Sequence, residues 1–271
     1  TLSARAAFLL PFVPALIVTG YALYEAGNIR IDRHIISSAK IPKDAGKITI
    51  AQISDVHVGL IVRERQLGKI VAAVKKANPD ILVATGDLVD GQINHLDGLS
   101  TLLTDIKPRY GKFAVTGNHE FFAGIDQSLD FMRRAGFTVL RDEWVGVAGA
   151  VTIAGVDDPV ARRFGRAPML SEKDLLQRLP SDQFRLFLKH RPEIEDGSPG
   201  LFDLQLSGHT HRGQIFPFRF LVKIYYPYLS GRFDLSSGSI LYVNRGSGTW
   251  GPPLRFLSPP EVTVIDLVPA R

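Results

Sequence analysis

Three features of the chain predict an α/β fold preceded by a membrane-spanning helix. Short apolar runs alternate with amphipathic helical patterns, the apolar runs end in polar, glycine-bearing loops, and an uncharged apolar stretch stands near the N-terminus. That stretch, Ala6 to Tyr24, has 19 residues without a charge; as a helix rising about 1.5 Å per residue it nearly matches a hydrocarbon core of about 30 Å. Pro11 and Pro14 lower its helix propensity but are tolerated inside membranes. A signal peptide fits less well, since only Arg5 precedes the stretch and no clear small-residue cleavage site follows; an apolar helix docked on the domain is the other alternative. Residues 1–28 are therefore read as a membrane-spanning segment with its flank, 29–46 as a linker and 47–271 as one large domain. Arg30, Arg33, Lys40, Lys43 and Lys47 follow the span against Arg5 before it, which places the domain in the cytoplasm by the positive-inside rule. The chain begins with Thr1 rather than methionine, so lost upstream spans or charges would alter that orientation.

Within the domain, Lys47 to Ser54 (KITIAQIS) reads as a buried strand, followed by a helix from Glu64 to Asn78 with Leu67, Ile70, Val71 and Val74 on one face. Ile81 to Ala84 is the next strand, then a helix over about Leu96 to Ile106, a strand at Phe113 to Val115 and a helix from Asp126 to Ala135. The remainder reads mostly as strands, including Phe184 to Leu188 and Leu204 to Leu206, with one helix near Ser171 to Leu179. With 271 residues, 45% of them hydrophobic, the chain can bury one large core, and no repeat or low-complexity linker divides it. The absence of cysteine excludes a disulfide framework and thiolate metal sites. A net charge of +5 is too mild to argue for nucleic acid.

Five of the seven histidines fall in short blocks at the ends of these strands. The blocks are Asp55-Val56-His57, Gly86-Asp87-Leu88-Val89-Asp90, Gly117-Asn118-His119-Glu120, Lys189-His190 and Gly208-His209-Thr210-His211. Ligands of α/β sheets collect beyond the carboxyl ends of strands, so loops distant in sequence can converge there, and glycines 86, 117 and 208 are expected to allow the tight turns. Carboxylate, imidazole and amide oxygen together suit divalent Mn, Fe, Zn, Co or Mg. An aspartate such as Asp87 can bridge two ions roughly 3.5 to 4 Å apart, which clamp a phosphoryl group and activate water.

In these ordered blocks the chain resembles the calcineurin-like metallophosphoesterases, with the pattern D-x-H, G-D-x-x-D, G-N-H-[DE], a lone H and G-H-x-H, over about Ile48 to Leu267. The segment Tyr242 to Arg255 and the loop Gly155 to Pro159 look more narrowly like the membrane-associated bacterial branch of that family. The resemblance implies a four-layer α/β/β/α sandwich with the metals at one edge of two face-to-face sheets, and makes 47–271 the metallophosphoesterase domain. It implies that Asp55, His57 and His211 hold one metal, that Asn118, His190 and His209 complete a second site, that Asp87 bridges, and that a hydroxide between the ions attacks phosphorus. His119, left without a metal, would stabilise the phosphoryl oxygens or protonate the leaving group, with Asp90 fixing its tautomer. Arg212 departs from the branch, which usually has glycine after the last ligand histidine; its guanidinium either binds phosphate or points to solvent.

The implied activity is hydrolysis of a phosphoester or pyrophosphate bond, Mn²⁺ being the expected ion, on a membrane or lipid-linked substrate such as UDP-2,3-diacylglucosamine of lipid A biosynthesis. The alternatives are a non-catalytic protein-binding scaffold of the same fold and a nuclease or cyclic-nucleotide phosphodiesterase. Ile215 to Phe233 interleaves aromatics with Arg219, Lys223 and Arg232, which suits a lipid interface; the plainer reading is a strand pair with aromatics in the core, and single-stranded nucleic acid fits a membrane-anchored chain poorly. His34 and His95, outside the blocks, read as structural, Asp157 and Asp158 as turn residues, and Arg133-Arg134 and Arg162-Arg163 as solvated surface. Glu120 reads equally as a surface carboxylate.

Overall fold

A computed structural model describes residues 3–91 and 97–270. In chain order the elements are α1 (Ala4–Ala26), β1 (Arg30–Ser38), β2 (Ile48–Ile53), α2 (Glu64–Ala77), β3 (Ile81–Thr85), α3 (Asp97–Thr104), β4 (Lys112–Val115), α4 (Asn118–Phe122) and α5 (Ile125–Arg134). They continue with β5 (Thr138–Val139), β6 (Glu143–Val147), β7 (Val151–Gly155), α6 (Glu172–Gln177), β8 (Phe184–Leu188), β9 (Leu204–Ser207), α7 (Arg219–Tyr225), β10 (Gly231–Asp234), β11 (Ile240–Val243) and β12 (Glu261–Pro269). One six-stranded sheet has the order β1-β12-β2-β3-β4-β5 and the other β10-β11-β9-β8-β7-β6. His95, and Leu96 at the expected start of the third helix, lie outside the described residues.

The period-two geometry of strands assigns each side chain to a layer. Ile48 and Ile50 of β2 and Ile81 and Val83 of β3 face the second sheet, meeting Phe184, Leu186 and Leu188 of β8 and Leu204 and Leu206 of β9 in one buried cluster. Their alternates, Ala51, Ile53, Leu82 and Ala84, face Leu67, Ile70 and Val74 of α2, Leu103 of α3 and Leu129 and Met132 of α5. On the far side, Ala154 and Phe187 pack against Leu175 and Leu176 of α6. The expected four-layer α/β/β/α sandwich is therefore observed. β2, β3 and β4 run parallel to one another, as do β7, β8 and β9, so each set of strands releases its loops at a common end.

Residues 29–46, expected as a linker, instead contain β1, which pairs in parallel with β12 from Arg30↔Glu261 to Ser38↔Pro269. Only Ile36 of this edge strand is buried, and its charged residues are used in ion pairs: Arg33 with Asp266 at 2.8 Å, and Asp32 with Arg245. Charges along an edge strand discourage pairing with other chains; here they also mask the apolar alternation that identifies a strand.

α1 is long and apolar enough to cross a membrane, and only 6% of its most apolar 18-residue window is buried. Its last turns are fixed to the domain. Ala22, Glu25 and Ala26 are buried, Ala22 O accepts from Arg255 N (3.0 Å), and Glu25 accepts from Ser258 N (3.1 Å) and Tyr21 Oη (3.1 Å).

Leu186 lies fully buried between the sheets, so Leu186→Ala should lower unfolding free energy by about 3 kcal/mol through lost burial and the cavity left behind, measured by denaturant unfolding of the detergent-solubilised chain.

Candidate metal centre

The loops after β2, β3, β4, β8 and β9 converge on one edge of the sandwich. Asp55 and His57 follow β2, Asp87 and Asp90 follow β3, Asn118 and His119 open α4 behind β4, His190 follows β8, and His209 and His211 follow β9. Among the described residues, three groups have potential ligand atoms within 4.8 Å of one another: Asp55, His57 and His211; Asp87, His190 and His209; and His57, Asp90 and His119. Between the first two groups, His57 Nε2 lies 3.9 Å from Asp87 Oδ2. Within them, His57 Nε2 is 3.1 Å from His211 Nε2, His211 Nε2 is 3.3 Å from Asp55 Oδ1, and His209 Nδ1 is 3.1 Å from His190 Nε2.

The donor set fits divalent cations on the geometry of His190 and Asn118. The carbonyl of Thr85, which can only accept, takes a hydrogen bond from His190 Nδ1 (2.8 Å), so in the neutral ring the lone pair of Nε2 faces Asp87 Oδ2 at 3.2 Å. A proton or a metal ion must sit between two such groups. Asn118 Oδ1 is buried with no hydrogen-bond partner among the described residues, which is costly for an amide oxygen without a cation to face.

Electrostatics follow from burial. Burial pushes the Asp55 carboxyl up to about 6, against the pull of His190, and holds His57 at about 4 and His209 at about 3. His211 is kept neutral well below its ordinary range by burial, with His57 and Arg255 adding to it. Burial acts against the Asp87 and His190 charges too, but their mutual attraction prevails, raising His190 to about 10 and holding Asp87 well below the carboxylate range.

Beside these residues, with Asp90 Oδ2 3.6 Å from His57 Nδ1, stands the pair His119 and Asp90. His119 Nδ1 is 2.7 Å from Asp90 Oδ1, and although burial opposes it, this bond raises the histidine above its ordinary value. Since a carboxylate oxygen only accepts, Nδ1 carries the proton and Nε2 is left for other partners.

Several structural residues were hidden in the sequence. Glu120 is fully buried rather than a surface carboxylate: Oε1 accepts from Leu88 N (2.7 Å) and Val89 N (3.1 Å), and Oε2 from Asp87 N (2.9 Å) and Gly117 N (2.6 Å). It organises the backbone from Asp87 to Val89, while burial and Asp87 push it up to about 7. Arg255, fully buried, donates to the carbonyls of Arg245, Gly246, Gly248 and Ser258 and reaches within 3.2 Å of His211 Nδ1. Tyr226 Oη lies 2.8 Å from His209 Nε2. All three stand in segments singled out above, but nothing in the sequence marks one tyrosine among the aromatics of Ile215 to Phe233, the G-N-H-[DE] glutamate or the last arginine of Tyr242 to Arg255 as an organiser of loops.

Among the glycines of the blocks, Gly86 uses a positive φ (87°), but Gly208 does not. A Cβ at Gly208 would fall on the Ser54 hydroxyl and Asp55 Oδ2, so close approach, not turn conformation, requires glycine there. Arg212 is half-buried at a φ of 53°, and its guanidinium makes no hydrogen bond among the described residues. Asp157 accepts from Thr116 and Arg141, and Asp158 pairs with Arg191 beside His190, so both are structural. His34 bonds Tyr242 Oη at 3.1 Å, and Arg133, Arg162 and Arg163 are exposed.

The model of the calcineurin-like phosphoesterases matches residues 48–213. An uncharacterised metallophosphoesterase of Aquifex aeolicus is 39% identical over 254 residues, 93% of this chain and 97% of that protein. One of Bacillus subtilis is 33% identical over 92% of this chain and 89% of its own length. A transmembrane protein with metallophosphoesterase domain from Danio rerio is 32% identical over 84% of this chain, which spans 55% of that protein.

Two substitutions test the centre. Glu120→Gln places an NH₂ group against two backbone N–H donors and should cost about 3 kcal/mol in denaturant unfolding of the metal-free protein. Gly208→Ala should lower metal content per chain in elemental analysis by displacing Asp55, while near-native far-ultraviolet circular dichroism is retained.

Proposed function

Because the chain belongs to the calcineurin-like phosphoesterase family, and is therefore a metallophosphoesterase, we propose that it hydrolyses a phosphoester or pyrophosphate bond of a membrane lipid at a dinuclear centre. The observation that carries the reading is the pair of His/Asp groups at one edge, joined through Asp87. Asp55, His57 and His211 would hold one ion and Asn118, His190 and His209 the other, with Asp87 between the two groups. Divalent cations bound there, Mn²⁺ by preference, would activate water and neutralise charge developing at phosphorus.

The chain's own groups supply the rest. His119, its Nδ1–H held by Asp90, would act as the imidazolium, the form that this bond favours, and give its Nε2 proton to the leaving oxygen, returning to the neutral ring. Ser54 Oγ and His209 N fix the Asp55 carboxylate, and His119 N fixes Asp87 Oδ1, so the acceptors are oriented before any ligand binds.

The membrane part of the reading rests on α1, fixed at its C-terminal end to the segment that also holds Arg255. The basic residues after α1 favour a cytoplasmic domain, where an acylated nucleotide sugar such as UDP-2,3-diacylglucosamine would present its pyrophosphate to the centre.

Elemental analysis of the purified chain should find two ions, and hydrolysis of bis(p-nitrophenyl) phosphate should depend on added Mn²⁺. Asp87→Ala should lose metal occupancy, whereas His119→Ala should retain both ions and lose about 10²- to 10⁴-fold in turnover; unchanged turnover would remove His119 from its role. For a lipid substrate, removing the acyl chains should lower the rate, and equal rates on acylated and deacylated substrate would exclude it.

A further inference from the structure

Residues 216–226, expected to be in a strand region, form an exposed aromatic loop and the helix α7, none of whose residues is buried. Phe218, Phe220, Leu221, Ile224 and Tyr225 are between 53% and 80% exposed, an apolar surface left uncovered by the described residues. The cations on this surface are set among the rings: Arg219 stacks on Phe216 and Phe220 at 5.0 and 5.1 Å, and Lys223 is exposed. Aromatics with basic side chains and no acidic residue from Ile215 to Arg232 are the composition of an interfacial membrane helix.

The position of α7 is tied to the exit of α1. Tyr21, one residue before the buried end of α1, meets Phe256 edge-on at 5.8 Å. Phe256 in turn exchanges backbone hydrogen bonds with the start of the aromatic segment: Phe216 N donates to Phe256 O (3.0 Å) and Phe256 N to Gln214 O (3.1 Å). Arg255 N, one residue earlier, bonds Ala22 O. Two connected struts thus fix α7 beside the point where α1 leaves the domain. At its other end α7 is capped by Tyr226, whose hydroxyl lies 2.8 Å from His209 Nε2.

We infer that α7 seats on the anionic surface of the bilayer that α1 crosses, its aromatic and aliphatic side chains in the headgroup boundary and Arg219 and Lys223 on lipid phosphates. The mouth of the metal centre then opens at headgroup depth, where the phosphate of a lipid is found and a soluble phosphoester is not enriched. This deepens the membrane-lipid reading above and rests on α1 as a span, but not on the phosphoesterase activity.

The test uses the full chain in nanodiscs of phosphatidylcholine with phosphatidylglycerol. Because the chain has no cysteine, single spin labels can be placed at Phe220→Cys and Ile224→Cys on α7. A third, Glu143→Cys, lies on β6, at the opposite edge of the second sheet from β10. Collisions with a water-soluble nickel chelate should be several-fold rarer at positions 220 and 224 than at 143, and collisions with oxygen more frequent. Nickel access equal to that at position 143 would overturn the proposal. Protection that appears only in discs carrying two chains would assign the face to a second copy and overturn it too. Discs of phosphatidylcholine alone should restore part of the nickel access; unchanged protection would overturn the assignment of the cations to anionic headgroups. Metal content and bis(p-nitrophenyl) phosphate turnover of the same samples report separately on the phosphoesterase reading, so either can fail without the other.

Discussion

Asp55, His57, Asp87, His209 and His211 all sit on left-handed backbone, with φ between 47° and 70°, and the centre depends on that constraint. Each strand must reverse direction within two or three residues to aim carboxylates and imidazoles back across the sheet edge rather than along it. Left-handed conformation in a residue with a Cβ costs on the order of 1–2 kcal/mol, and aspartate tolerates it better than most. The cost is met because the loops extend the sheet's hydrogen bonding past its last strand residues: Asp55 N donates to Gly86 O (3.0 Å), His57 N to Asp87 O (3.0 Å), Val58 N to Leu88 O (2.9 Å) and Gly208 N to His190 O (2.8 Å). The ligand loops are therefore a second ladder, perpendicular in purpose to the first, with side chains as its product.

Such a ladder buries charge, and the surrounding groups show how. Asp55, Asp87 and Glu120 are all essentially inaccessible to solvent, and an unpaired carboxylate there would be severely penalised. Glu120 is satisfied by four backbone N–H groups and so neutralises nothing; it holds shape. Asp55 and Asp87 accept from Ser54, His209 and His119 but keep oxygens turned toward histidine nitrogens. The division separates carboxylates that build the loops from carboxylates left to meet cations, and it is drawn by backbone donors, not by residue type.

That division explains what was legible in the chain. The motif residues could be read because five spaced blocks carry rare histidines at strand ends, and the α/β alternation because β2, β3, β8 and β9 are apolar runs of ordinary length, whereas the four-layer sandwich was implied by the resemblance. The pairing of Asp90 with His119 was implied by the resemblance, and the structure brings the two to 2.7 Å. Glu120 was not legible, since a surface and a buried glutamate look alike until the four donors around it are known. β1 was not, because its partner β12 lies more than two hundred residues away and its ion pairs replace apolar alternation. α7 was not, because a helix whose apolar residues face outward has the composition of a core strand and no core to fill.

The same few residues connect α1 and the ligand loops. From Asn244 to Glu261 the chain passes beneath Asp55 through Ser247 N to Ser54 O (2.7 Å) and Gly248 N to Asp55 O (3.1 Å). It then sends Arg255 to His211 and gives Ser258 N to Glu25 of α1. A buried glutamate in the last turn of an apolar helix is expensive unless its acceptors are filled, and Glu25 is filled from this segment. Since one stretch of backbone satisfies both the helix and the ligand loops, displacement of α1 relative to the domain would unseat Arg255 and the loop under Asp55 together. The helix is thus fixed in orientation as well as in place, and the distance between α1 and the ligand loops is a property of the fold.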